Sequence, residues 1–122
     1  MVSIDEMEIM LDEIAKELPQ EIFKQLNGGV VLLPEVKQHK ESRNNDFFIM
    51  GEYHCNGNLG RYICIYYGSF MKVHGNRTKD YIKYQLEKTL KHELTHHLES
   101  LAGDRTLEIV DAKNLYRYLN NN

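Results

Sequence analysis

His92-Glu93-Leu94-Thr95-His96 has the form H-E-x-x-H: two imidazoles four residues apart, with a carboxylate directly after the first. On a helix the two histidines stand one turn apart and are offset by only about 40°, so both rings can reach a single metal ion. Glu93 turns about 100° from His92 and about 60° from His96. It misses the first coordination shell, yet it can hold the water that a metal activates, which is the task of a general base. Random order at this His and Glu content produces such a match in about 3% of chains, so the motif needs the right helix around it.

That helix is legible. From Thr78 onward Ile82, Leu86, Leu90, Leu94, Leu98 and Leu101 recur at helical spacing, and Gly103 supplies a stop. With Ile82 at 0° the stripe covers about 0° to 160°, and His92 and His96 fall at about 280° and 320°, flanking the buried face. A site placed there touches both the domain and solvent. His97 falls near about 60°, inside the stripe, and is expected to pack and make a local hydrogen bond instead of binding metal.

Catalytic zinc takes three protein ligands and leaves one position open, so a third ligand is needed. Glu99 lies about 7.5 Å beyond the midpoint of the two histidines along the helix axis, too far for a direct role. Asp104 follows the Gly stop too closely to fold back over two turns. If the chain reverses at Gly103-Asp104 into an antiparallel helical pair, residue 96 opposes 111 and 99 opposes 108. Asp111 is therefore the expected third ligand, with Glu108 second. Asp111 also falls on the expected inner face of the last helix with Leu107, Val110, Leu115 and Tyr118. An ion pair with Lys or Arg is the bland alternative for that carboxylate.

The remaining elements have to position this helix. Ser3 and Glu6 form a capping-box pattern, and Ile4, Met7, Met10, Leu11, Ile14 and Leu18 give a first helix from about Ile4 to Leu18. Pro19 opens a short second helix that Asn27-Gly28-Gly29 ends. Val30 to Leu33 reads as a buried strand closed by Pro34, and the polar stretch Glu35 to Asp46 as an exposed loop. Phe47 to Tyr53 and Arg61 to Tyr67 suggest an antiparallel pair across a loop of turn formers, and Gly68 to Asn76 reads as irregular. A last helix, capped by Asp104 or Thr106, runs to about Leu119. The expected fold class is α+β in one domain spanning residues 1–122: an N-terminal helix, a short mainly antiparallel sheet, a long helix carrying the motif and a C-terminal helix.

Composition narrows the function classes. Among 122 residues, 15 Lys+Arg against 18 Asp+Glu leave a formal charge of −3, with 42% hydrophobic residues. A pI near 6.1 argues against a basic nucleic-acid face. No apolar run approaches the ~18 to 20 residues of a membrane span, and the start lacks a signal-peptide pattern. Cys55 and Cys64 lie outside any C-x-x-C and read as reduced thiols, so a cytoplasmic protein is expected.

Taken together, these residues resemble the minimal zincin-like metallopeptidases, small bacterial proteins with an H-E-x-x-H-x-x-G-x-x-D signature. The likeness runs over nearly the whole chain. It includes Glu17-Leu18-Pro19, Gly51-Glu52-Tyr53, the Arg61-Tyr62-Ile63-Cys64-Ile65-Tyr66-Tyr67 strand and the doubled His96-His97. The resemblance implies zinc bound by His92, His96 and a downstream Asp, with Glu93 as catalytic base. Downstream the chain departs from the signature: the family's Gly is Glu99 and its Asp position is Ala102. An insertion restores the match if Ile109-Val110-Asp111-Ala112-Lys113 is the ligand segment.

The expectation is thus a peptidase with one Zn2+ per chain, acting on peptides or unfolded protein through a metal-activated water and a Glu93 base. An extended substrate can pair with an exposed sheet edge, Phe47 to Tyr53 or Arg61 to Tyr67. Tyr66, Tyr67 and His54 are candidate donors to the oxyanion. Two other classes compete: a non-catalytic zinc-binding module that engages a protein partner, for which a small core gains from a metal, and a metal-free helical adaptor. Nothing in the sequence sets the oligomeric state.

Overall fold

In a computed structural model the described residues are 1–40, 47–57, 60–104 and 109–120. The chain begins with α1 (Ile4–Glu17), whose capping box is formed: the Glu6 amide donates to Ser3 Oγ and the Ser3 amide to Glu6 Oε1, each at 3.1 Å. Its inward face, Met7, Met10, Leu11 and Ile14, is buried. The short helix expected after Pro19 is a single 3-10 turn, Gln20–Phe23, ended by Gln25 at φ 67°.

β1 (Gly29–Leu33) follows, then β2 (Lys37–Gln38), β3 (Phe48–Ile49), β4 (Gly51–Asn56) and β5 (Gly60–Tyr66). β4 and β5 pair antiparallel, in register from Gly51↔Ile65 to Asn56↔Gly60. The sheet order is β1-β5-β4, with β1 running parallel to β5 from Gly29↔Tyr62 to Leu33↔Tyr66, so the sheet is mixed where a mainly antiparallel one was expected. β2 and β3 form a separate two-stranded ladder, so part of the polar loop is strand.

The stretch expected to be irregular from Gly68 is instead α2 (Tyr67–His74), which buries Phe70 completely. Gly68 is not a breaker here. A Cβ on it would stand 2.6 Å from the Glu35 carbonyl carbon and 2.7 Å from Val36 N, so glycine lets α2 lie against the chain leaving β1. Ser69 Oγ ties the two segments, accepting from the Lys37 amide at 2.9 Å and donating to its carbonyl at 3.2 Å.

α3 (Lys79–Gly103) is capped by Thr78, whose Oγ1 accepts from the Tyr81 amide at 3.2 Å. All six residues of the expected stripe are at most 2% exposed, each contributing about 1.5–3 kcal/mol by burial. Ile82, Leu86, Leu90, Leu94 and Leu98 pack with α1, Ile63 and Ile65 of β5 and Phe70 in one core. α4 (Ile109–Asn120) returns along α3: Ala112 and Tyr116 lie by Leu98 and Ala102, and Leu119 lies by Lys88 and Lys91. That is the antiparallel pair the chain reversal requires. The fold is the expected α+β class. No helix among the described residues is long and apolar enough to cross a membrane.

Candidate functional site

Edge strand β4 and the C-terminal half of α3 enclose a cleft of about 860 Å³ whose walls include His92, Glu93 and His96. Strand and helix meet closely because residue 51 is glycine: a Cβ there would lie 2.9 Å from Thr89 Cγ2 and 3.3 Å from Glu93 Cγ. The Tyr66 amide donates to the Met50 carbonyl at 2.9 Å. By antiparallel alternation the main-chain groups of Gly51, Tyr53 and Cys55 then face away from β5, toward the free edge. One of them, the Tyr53 amide, is turned toward the Glu93 carboxylate and partly offsets the effect of its burial.

His92 and His96 turn their Nε2 atoms to within 3.3 Å of each other, with the rings nearly perpendicular at 87°. Two nitrogens at about 2.0–2.1 Å from one tetrahedral zinc are about 3.3–3.4 Å apart, so this spacing fits a shared ion. His96 Nδ1 lies 3.1 Å from Glu99 Oε1 and donates to that carboxylate, which leaves the Nε2 lone pair for a ligand bond. Glu99 thus contacts His96 on the side away from the His92 ring. Glu93 is only 7% exposed. Burial pushes its carboxyl above the ordinary carboxylate value, against the pull of His92 and His96.

The third ligand is less simply placed. Asp111 stands exposed in the first turn of α4, next to the Ala112 that meets α3, and does not line the cleft. Glu108 and the Thr106 cap lie outside the described residues, as do the side chains of Leu107 and Val110. Among the described residues no group of three His, Cys, Asp or Glu side chains is assembled for a metal. Asp104 is engaged elsewhere, paired with the Arg61 guanidinium, which also reaches Ser100 Oγ at 3.4 Å.

Sequence reasoning missed the polar cluster on the strand side. Glu52 Oε1 accepts from Lys37 Nζ at 2.7 Å and from the Tyr66 hydroxyl at 2.6 Å, and His54 Nε2 lies 3.3 Å away. The His54 ring stacks on Tyr62 at 4.8 Å. The signal available was Glu52 and His54 two residues apart, on one face of a strand. Of the three candidate oxyanion donors, Tyr66 is committed to Glu52 and Tyr67 donates to the Val2 carbonyl at 2.6 Å, whereas His54 lines the cleft.

Burial raises the Glu52 carboxyl, but the hydrogen bonds from Lys37 and Tyr66 outweigh it and hold the group below its ordinary value. Burial and the same carboxylate push the Tyr66 phenol up to about 12. A carboxyl depressed in the native state contributes stability above its unfolded pKa and loses it as pH falls through the native one. Melting temperature should therefore fall more steeply between about pH 5 and 3 in the parent chain than in Glu52→Gln. Parallel curves would remove Glu52 from the acid response.

No family model matches the chain, and no curated protein does. Among solved structures, a conserved hypothetical protein from Thermus thermophilus is similar, with 31% identity over 84% of this chain and 99% of that one and a TM-score of 0.72.

Proposed function

The chain belongs to one family with that T. thermophilus protein, and we propose that the cleft makes it a zinc-dependent peptidase for short or unfolded peptides. The observation that carries this reading is the convergence of His92 and His96 Nε2 at 3.3 Å beside a buried carboxylate. Imidazole nitrogens in this arrangement suit zinc, and the outward Nδ1 bond to Glu99 orients one of them for it. Asp111 would complete the ligand set from the first turn of α4, with Glu108 as the second choice. This reading makes the chain a zincin-like metallopeptidase, as its motifs suggest.

Bound zinc supplies a Lewis acid for the scissile carbonyl and lowers the pKa of water. Glu93 takes the proton of the attacking water and delivers it to the leaving amine. The Tyr53 amide faces the Glu93 carboxylate, and the close approach of β4 at Gly51 keeps that side chain against the strand edge for both transfers. The free edge of β4 offers the main-chain groups of Gly51 and Cys55 to an extended peptide. His54 lines the cleft, and with both ring nitrogens protonated it keeps Nε2 on Glu52 and offers Nδ1–H to the developing oxyanion. Cys55 and Cys64 are both free thiols, in keeping with action in the cytoplasm.

Metal content by plasma mass spectrometry, paired with cleavage of a quenched peptide library, tests the proposal. The expected result is near one zinc per chain, with cleavage lost on chelation and restored by zinc. No specific metal after zinc reconstitution overturns it. Zinc without hydrolysis across the library also overturns it, and identifies a zinc-stabilised binding module.

A further inference from the structure

His97 occupies a leucine position of the α3 stripe and is fully buried, and it does not line the cleft with His92 and His96. Both its ring nitrogens are engaged. Nε2 lies 2.8 Å from the Lys24 carbonyl, which can only accept, so Nε2 carries the proton. Nδ1 is then the acceptor, and the Tyr53 hydroxyl donates to it at 3.0 Å. The two rings meet at 5.4 Å with a 56° tilt. The Lys24 carbonyl is itself aimed by the turn that ends the 3-10 segment, where Gln25 adopts φ 67°.

Tyr53 thereby meets α3 at two points. Its main-chain amide faces the Glu93 carboxylate, and its hydroxyl donates to His97, four residues and one helical turn further on. A leucine at position 97 would fill the stripe equally well but offer the hydroxyl nothing. We propose that His97 is a positioning residue: through the Tyr53 hydroxyl it fixes the edge of β4 on α3 and so keeps the Tyr53 amide facing the Glu93 carboxylate. The catalytic consequence rests on the peptidase reading above, whereas the structural linkage does not.

The hydroxyl and the ring can be removed separately. Amide hydrogen exchange by NMR on the full chain reads the linkage directly, with Tyr53→Phe, His97→Leu and His97→Gln, the last retaining one donor and one acceptor. Exchange of the residue-53 amide is expected to quicken at least about tenfold in Tyr53→Phe and His97→Leu, relative to Ile63 and Ile65 of β5, and less in His97→Gln. Where cleavage is measurable, kcat should fall about tenfold to a hundredfold with KM and zinc content unchanged, as for a slightly misplaced base. An unchanged residue-53 amide in Tyr53→Phe overturns the proposal. So does quickening in step with Ile63 and Ile65, which would mean general loosening. If the parent chain cleaves no peptide, the peptidase reading fails and amide exchange alone decides the role of His97.

Discussion

Glu93→Gln is expected to lower kcat/KM by about 10²- to 10⁴-fold while zinc content stays at the parent level. The substitution keeps the shape of the side chain and one oxygen to face the Tyr53 amide. What it removes is the group that can take and return a proton. Because Glu93 lies outside the histidine pair's convergence, the metal has no reason to leave. The stability effect runs the other way. Burial raises the native carboxyl pKa, so at neutral pH the ionised form disfavours the folded state, and stability rises as pH falls toward protonation. A neutral amide removes that cost, so the metal-free variant should melt at or above the parent temperature. Dead but stable is the signature of a group placed for chemistry at the expense of the fold. Turnover within about twofold of the parent would eliminate Glu93 as the base.

The features written locally in the chain were legible. The capping box at Ser3, the α3 stripe and the H-E-x-x-H spacing each need only a few neighbouring residues and one period. Placing His97 in the stripe foretold its burial, and the chain reversal after Gly103 foretold the antiparallel return of α4 but not its register, since Asp111 stands exposed and does not reach the cleft opposite His96. What stayed hidden depends on contacts between distant segments. Gly68 looks like a breaker until the backbone near Glu35 is seen pressed against it. A parallel β1–β5 pairing leaves no local signature, because the strands are joined through three others. The cluster of Lys37, Glu52 and Tyr66 gathers residues 15 and 29 positions apart, none of them in a motif. The approach of Tyr53 to Glu93 and His97 joins a strand to a helix that follows much later in the chain.

Zinc binding should separate the roles of the candidate ligands. His92→Ala or His96→Ala leaves one converging nitrogen where there were two, and zinc affinity should drop by at least about 10³-fold. Glu99→Gln keeps both rings but weakens the partner that sets the His96 tautomer, and the expected loss is smaller, about 10- to 100-fold. Asp111→Ala carries the most information, because Asp111 stands exposed on α4 and outside the cleft wall. A loss equal to that of the histidine variants means that α4 rotates or shifts on α3 when zinc binds and brings Asp111 to the cleft, so that metal binding and helix docking are coupled. That coupling would appear as a zinc-dependent rise in melting temperature, present in the parent and absent in Asp111→Ala. Unchanged affinity in Asp111→Ala moves the third position to Glu108, testable by the same titration. Unchanged affinity in His92→Ala would remove the metal centre altogether.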